Sequence, residues 1–448
     1  MTDEFGSSTF NRYILNLSER IPYSIDFSKD NKSIILSRGV IRGEISLDSI
    51  LLELEAKIGV AFNNISFKLD NNNNFLIELL SKKPVEIFII EEIVLEIISS
   101  ELPYTLESAD THKPFTYLSE DYLGIPLIGS MYFGIIDRGT NLLQVRSLTG
   151  CPLNCPFCSV DEGPATKTKI RDFIVDPDYL INSYNFVVKE KGLEKAEAHL
   201  DGQGEPMSYP YLMELIQGIS ENKNTAIISA QTNGWYLNEK LIDNLEAAGL
   251  SRINLSINTL ELATAKKLSG RGDFPLKRIL EMAEYIANSK ISLLLAPLWI
   301  PGINDSDIEE IIKFSKRINN EEKRFPTLGI QNYLIHHQGR NMKGVKSKTF
   351  KTFNQQMREF EKKYEISNLV LKQTMFESYK SKMITNPLKI DEIVTGEVVL
   401  PGRLSDKVFT IAKNRIIHVL GAKGMSVGSK IRARIIRNRH NIFFAKKV

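Results

Sequence analysis

The chain has 448 residues, 42% of them hydrophobic and 25% charged, which is enough apolar material for a sizeable core and excludes an intrinsically disordered protein. No window supplies the roughly 20 uninterrupted apolar residues that cross a bilayer, and the start MTDEFGSSTF lacks the basic segment and apolar run of a secretory signal, so a cytoplasmic protein without a membrane span is expected. The net charge of +3 conceals an asymmetry: residues 1–125 carry 20 Asp/Glu against 11 Lys/Arg, and residues 389–448 carry 13 Lys/Arg against 4 Asp/Glu. A compact basic end is either a solvated face or a footprint for a polyanion, most often nucleic acid.

In chain order, residues 1–126 read as an α+β domain of unknown role. Its candidate strands are KSIILSRG, ISFKL, FLIELL and VEIFII, with LDNNNN as the turn of a hairpin and His112-Lys113-Pro114 as a connecting turn. Residues 127–345 alternate short apolar strands (LLQVRS, AEAHLDG, AIISAQT, INLSIN, LLLAPLW, LGIQNYL) with amphipathic helices. That alternation predicts parallel strands with right-handed crossovers, an α/β sheet or barrel, and six strands suit a partial (β/α)6 barrel better than a closed one of eight. Residues 346–388 read as a polar helical connector ending near Asn386-Pro387. Residues 389–448 have the short strands and Gly-rich turns of a small β-barrel.

All three cysteines fall within eight positions, Cys151, Cys155 and Cys158, a C-x3-C-x2-C spacing on the loop leaving the first strand of the α/β region. Gly150, Pro152, Asn154 and Pro156 keep that loop tight, so three thiolates can converge on one inorganic core. Two metal readings compete. Zinc normally takes four protein ligands, and only a distant residue such as His199 could complete the set. A 4Fe-4S cluster on three cysteines leaves one iron open. Free buried thiols are the remaining alternative.

The C-x3-C-x2-C loop with Phe157 before its last cysteine resembles the radical S-adenosylmethionine (SAM) superfamily, and later segments agree in order. Gln203-Gly204-Glu205-Pro206 is similar to that family's Gly-Gly-Glu-Pro stretch, with Gln at the first Gly. The resemblance implies that backbone carbonyls there receive the methionyl amino group, glycine allowing the close approach. Thr232-Asn233-Gly234 ends the third strand, and Ser256 and Asn258 end the fourth, where the family holds the methionyl carboxylate and ribose. Pro301, Gly302 and Asn304 resemble the fifth-strand motif beside the adenine, and Gln331 and Asn332 stand at the sixth.

What the resemblance implies is a 4Fe-4S cluster on the three cysteines, SAM bound through its amino and carboxylate groups to the open iron, and a 5′-deoxyadenosyl radical that abstracts hydrogen from substrate. An electron donor such as ferredoxin or flavodoxin would be needed. No further thiol exists for a second cluster or a methylated cysteine, and no Asp-x-His-x-x-Gly signature of a cobalamin domain is present, so a single-cluster enzyme is expected. The histidine pair His336-His337 follows the sixth strand on the expected substrate side, as catalytic groups or as loop residues.

At the basic end, Lys430, Arg432 and Arg434 alternate with small or branched apolar residues, which predicts a half-buried strand with a cationic outer face. Arg437, Arg439, His440, Phe443 and Phe444 extend it with a mixture suited to phosphate contact and base stacking. The order Val427-Gly428-Ser429-Lys430-Ile431, basic strand, NIFFAKK resembles the end of a TRAM domain, an RNA-binding β-barrel attached to several tRNA-modifying radical SAM enzymes. A radical SAM core followed by a TRAM-like domain also resembles an archaeal-type family of iron-sulfur oxidoreductases. RNA, above all tRNA, is the expected partner; modification of a small molecule, lipid or protein, and a non-catalytic metal-bearing RNA-binding protein, are the alternatives.

Overall fold

A computed structural model describes residues 10–18, 20–71, 74–319 and 323–448. The chain divides into two compact units, 1–117 and 118–448. The expected boundaries at 345 and 388 therefore fall inside one unit, in which α/β region, connector and β-barrel pack together.

The first unit holds a four-stranded sheet (Ser24–Phe27, Ser33–Arg38, Ile41–Ser46, Glu107–Ser108), a three-stranded sheet (Asn11–Asn16, Phe75–Ser81, Phe62–Leu69) and helices Leu47–Ile58 and Ile87–Thr105. The expected hairpin is present, with Leu69 opposite Phe75; part of its Asn-rich turn lies outside the described residues. VEIFII is not a strand but the start of the second helix. Its buried residues Ile90, Val94, Ile97, Ile98 and Leu102 recur at helical spacing, and a six-residue stretch cannot announce that period by itself.

In the second unit, parallel strands β1 (Leu142–Arg146), β2 (Ala196–Leu200), β3 (Thr225–Thr232), β4 (Arg252–Leu255) and β5 (Ser292–Leu295) lie side by side in chain order, with Gly134–Asp137 antiparallel on the outer edge of β1. Helices cross between them. Helix Pro177–Lys191 starts at Asp176, whose carboxylate accepts from the Tyr179 amide at 2.9 Å, and stops at Gly192 with φ 61°. Helix Glu239–Ala248 repeats the device with Asn238 and Gly249. The sixth expected strand shrinks to Gln331–Asn332, paired with Leu298–Trp299 just past β5.

Parallel strands covered on both faces usually read as continuous apolar runs; β5 does so with Leu293, Leu294 and Leu295, whereas β1 to β4 interleave polar residues. The apolar set (Leu143, Val145, Ala198, Leu200, Ala230, Ile253) is buried. The intervening polar set bonds to itself: Glu197 takes Ser229 Oγ at 2.6 Å and Arg252 at 2.5 Å, His199 meets Ser229 at 2.7 Å, and Arg252 donates to Asn254 at 3.0 Å.

At the sheet edge, Lys191 and Asp137 form an ion pair at 2.5 Å with both side chains wholly buried, and Asp137 also accepts from the amides of Gly139 and Ile384. Removing one partner strands a charge in the interior. Lys191→Met should therefore cost about 3–5 kcal/mol, measured by urea denaturation, and Lys191→Met/Asp137→Asn should recover part of it.

The connector is α-helical only over Phe350–Tyr364, which ends on Glu365 in the left-handed region, φ 50°, and adds one 3-10 turn at Gln373–Phe376. Beyond it the chain is mostly irregular and runs along the sheet edge, Tyr379 donating to Asn141 Oδ1 and Ile384 to Asp137 Oδ2. Tertiary hydrogen bonds there replace those a helix would have made.

The barrel is closed: β6 (Ile393–Pro401), β7 (Lys407–Ala412), β8 (Arg415–Leu420), β9 (Lys430–Arg437) and β10 (Phe443–Lys447) run in the order β6-β7-β8-β10-β9, with β8 and β10 parallel and the other pairs antiparallel. As expected, β9 alternates, exposing Lys430, Arg432 and Arg434 and burying Ile431, Ala433 and Ile435 in the barrel core. Strands β7 and β8 face the α/β region. Phe409 packs on Phe133 and Phe173 at ring separations of 5.7 and 5.8 Å, and His418 packs on Tyr132 at 5.1 Å. The main chains also meet, Ile416 N donating to Ile128 O and Phe443 N to Gly129 O. A Cβ on Gly129, φ 129°, would stand 2.1 Å from the Ile416 carbonyl, so only glycine permits the approach.

Candidate active site

Just beyond β1, Thr149–Gly150 pairs in parallel with Gln203–Gly204, and Glu205 N donates to Gly150 O at 2.9 Å. This pairing brings the thiol loop beside the stretch that follows β2. A Cβ on Gly204 would lie 2.3 Å from Gly150 O, so glycine is demanded there by the strand pairing itself as well as by any ligand.

The three thiols line one cavity of about 400 Å³ at the carboxyl ends of the parallel strands. The surrounding main chain and an amide point at their sulfurs: Leu153 N and Asn233 Nδ2 reach Cys151 Sγ at 3.5 Å, and Glu162 N reaches Cys158 Sγ at 3.3 Å. Burial pushes the Cys151 thiol well up and the Cys155 thiol up to about 12, so neither ionises at neutral pH without a compensating positive core. Among the described residues no three His, Cys, Asp or Glu side chains converge on a point that a single metal ion could occupy. His199, the fourth zinc ligand suggested from the sequence, is not among the cavity-lining residues but bonds Ser229 on the sheet.

Glu205 is a buried carboxylate in the cavity wall. It accepts from Thr232 Oγ1 at 2.6 Å, Asn233 N at 2.8 Å and Met207 N at 3.1 Å, and burial, opposed by these bonds, lifts it to about 7. It thereby holds the Thr232-Asn233 turn at the end of β3.

Of the residues singled out from the sequence, Phe157, Gly204, Glu205, Thr232, Asn233, Ser256, Asn258, Gln331 and Asn332 line the cavity with the cysteines. Three do not. Gln203 is buried in the short pairing with Thr149, Pro206 starts the buried turn Pro206–Ser208, and Pro301 belongs to a turn whose Gly302 N donates to Asp305. Asn304 is structural too, bonded to Ile300 N, Asn258 O and Leu298 O. His336 lines the mouth and His337 does not. The sequence reading missed Gln231, which donates to Ser256 at 2.8 Å, and Tyr333; period-2 alternation from Ser229 to Gln231 was the available signal for the first.

This wall suits the two groups, cluster and SAM, that the radical SAM resemblance implies. Asn332 Oδ1 is buried without a hydrogen-bond partner while its amide donates to Lys348 O, so an acceptor awaits a donor. Amide and hydroxyl groups of Asn233, Ser256 and Gln231 supply the mixed donors and acceptors that an amino acid and a ribose need, and the thiols line the same cavity.

Phe443 and Phe444, expected as stacking platforms, are 0% and 7% exposed. Phe443 belongs to the barrel core, and Phe444 stacks on His418 at 4.6 Å. Arg437 and Arg439 remain exposed.

The sequence pattern of the radical SAM superfamily matches residues 145–315. The chain is 41% identical over 373 residues, 79% of its length and 86% of the other's, to the uncharacterised protein MJ0103 of Methanocaldococcus jannaschii. It is 29% identical over 186 residues to a GTP 3′,8-cyclase of Aquifex aeolicus, spanning 41% of this chain and 55% of that protein. A structure of TYW1 with a lysine-pyruvate adduct aligns over 50% of this chain and 73% of that one, at 19% identity and a TM-score of 0.35. The chain belongs to one family with MJ0103, and its thiol-bearing region is a radical SAM superfamily domain, an enzyme domain that uses a 4Fe-4S cluster and SAM.

Proposed function

We propose that the protein is a single-cluster radical SAM enzyme that modifies RNA, with tRNA as the expected substrate, fed by a small electron carrier such as ferredoxin or flavodoxin. Cys151, Cys155 and Cys158 would hold the cluster, and Gly204, Glu205, Asn233, Ser256 and Asn332 would surround SAM, with the parallel sheet as the wall of a (β/α)6 partial barrel. When bound, cluster and SAM supply a 5′-deoxyadenosyl radical. The protein's own part is to bind and orient: Glu205 fixes the β3 turn, and Phe157, packed with Leu268, Ile300 and Tyr333, shields the cavity from water.

The observation that carries RNA is the cationic face of the barrel. Arg434 stands opposite Lys446 across β9 and β10, Lys430 and Arg432 continue the stripe, and all four are exposed. In five-stranded barrels of the OB type the second and third strands commonly hold the oligonucleotide. Here those strands, β7 and β8, are covered by the α/β region, so the stripe on β9 and β10 is the face left for phosphates. Lys430→Ala/Arg432→Ala/Arg434→Ala should weaken tRNA binding and lower the slope of log affinity against log salt by about 2 to 3. An unchanged slope removes RNA from the proposal. Deleting residues 389–448 would not serve, because it strips the cover from Phe133 and Phe173.

The buried β7–β8 face also favours a second reading, in which the barrel is a structural part of the enzyme and the substrate is a small molecule, lipid or protein. Nucleoside mass spectrometry of wild-type and deletion strains separates the two; identical profiles favour the second.

A further inference from the structure

Phe409, His418 and two main-chain hydrogen bonds already dock the barrel on the α/β region. Yet the same contact buries a group of charges. Arg403, in the turn after β6, is 1% exposed and grips both carboxylate oxygens of Glu162 through Nη1 and Nη2, the latter at 2.7 Å, while also reaching Asp172. Asp172 in turn accepts from Thr149 Oγ1 at 2.7 Å, next to the thiol loop. A buried ion group of this kind is weak evidence for stability, because well-packed apolar residues often do as well or better. Its geometry points to placement instead.

Glu162 lies four residues after Cys158 and its backbone amide donates to Cys158 Sγ at 3.3 Å. The loop between them is held on every side. Arg340 reaches the Glu162 carbonyl, its own amide donates to Cys158 O at 2.8 Å, and Thr166 and Thr168 hydroxyls bind the Asp161 carboxylate. The barrel turn adds main chain to side chain, Arg403 O accepting from Ile170 N at 2.9 Å.

We propose that Arg403 is a positioning residue for the iron-sulfur cluster: by holding the Glu162 side chain it keeps the Glu162 amide on Cys158 Sγ, which makes the C-terminal barrel a structural part of the redox centre. An N–H donor on a ligand sulfur stabilises the more negative, reduced cluster and raises its potential. Losing that donor lowers it.

The test uses the full chain, reconstituted anaerobically with iron and sulfide, as wild type, Glu162→Gln, Arg403→Met, and the triple variant Arg403→Met/Glu162→Gln/Asp172→Asn, which removes the whole charge group. Iron content and thermal unfolding show whether each is loaded and folded, and EPR-monitored redox titration reads the midpoint potential. Glu162→Gln keeps the amide and an acceptor for Arg403 while removing one negative charge, so it should retain its iron and stay at or somewhat above the wild-type potential. Arg403→Met and the triple variant should move to more negative potential, or fold without retaining iron. The charges removed in the triple variant sum to −1, so a field effect alone would move its potential in the positive direction. A folded, loaded triple variant with an unchanged or more positive potential overturns the proposal. If Arg403→Met does not fold, the triple variant alone decides.

Discussion

Replacing Cys151, Cys155 or Cys158 by alanine should take the reconstituted protein from about four irons per chain to almost none and abolish formation of 5′-deoxyadenosine from SAM. The loss should exceed 100-fold, since removing even a hydrogen-bond partner of a metal ligand commonly costs about 10 to 100-fold. The three sites should behave alike, because all three thiols line the same cavity and no other cysteine can substitute. Iron analysis, the absorption band of the cluster and a SAM-cleavage assay under dithionite check this. A variant that keeps its iron and its cleavage activity would remove that cysteine from the ligand set, and about eight irons in the wild type would overturn the single-cluster reading.

Acid should loosen the barrel through His418. The ring is 1% exposed, stacked on Phe444 and edged by Tyr132, and its Nε2 accepts from Met131 N at 3.2 Å. Burial is the main cause that lowers it from 6.5 to about 3, with Lys407 and Arg437 adding cationic repulsion, so the folded protein holds the neutral ring. In the unfolded chain the ring protonates below about pH 6.5. The folded state is therefore fully favoured above that pH and loses stability as pH falls from 6.5 towards 3, because the unfolded state then binds the extra proton. At 1.36 kcal/mol per unit the whole window is worth roughly 5 kcal/mol, and lowering pH from 8 to 5 should cost about 2 kcal/mol. His418→Gln, which retains an acceptor for Met131, should lack that part of the slope in urea denaturation measured at each pH. The same slope in both proteins would assign the acid sensitivity elsewhere.

Local sequence carried much of the architecture, for identifiable reasons. Strands β1 to β5 were legible because each is a short segment rich in apolar residues followed by an amphipathic helix, and β9 because cations alternate with Ile431, Ala433 and Ile435. VEIFII was misread because the helical period shows only over the longer stretch to Leu102. The second half of the connector has no period of its own, since Asn141 and Asp137, more than 230 residues earlier, accept its hydrogen bonds.

The candidate site was legible where residues are neighbours in the chain and obscure where they meet only in space. The cysteine spacing, the Gly204-Glu205 stretch and the polar residues ending β3 and β4 lie at positions that local pattern defines, so they could be named without coordinates. Pro301 and Gln203 looked equivalent by position, yet turn geometry and strand pairing turn them away from the cavity. Phe443 and Phe444 read as stacking residues because exposure is not encoded in an aromatic side chain; the packing of β10 inside the barrel and against His418 buries them. What the sequence alone determined, then, is that three thiols share one loop at the head of a parallel α/β region and that a basic barrel follows. Only the tertiary structure decided that the barrel's β7–β8 face is spent on docking, and that Arg403, 241 residues from Glu162, closes over the loop bearing Cys158: a buried charge is tolerated only where the fold has already brought its counter-charges together, and no local pattern records that meeting.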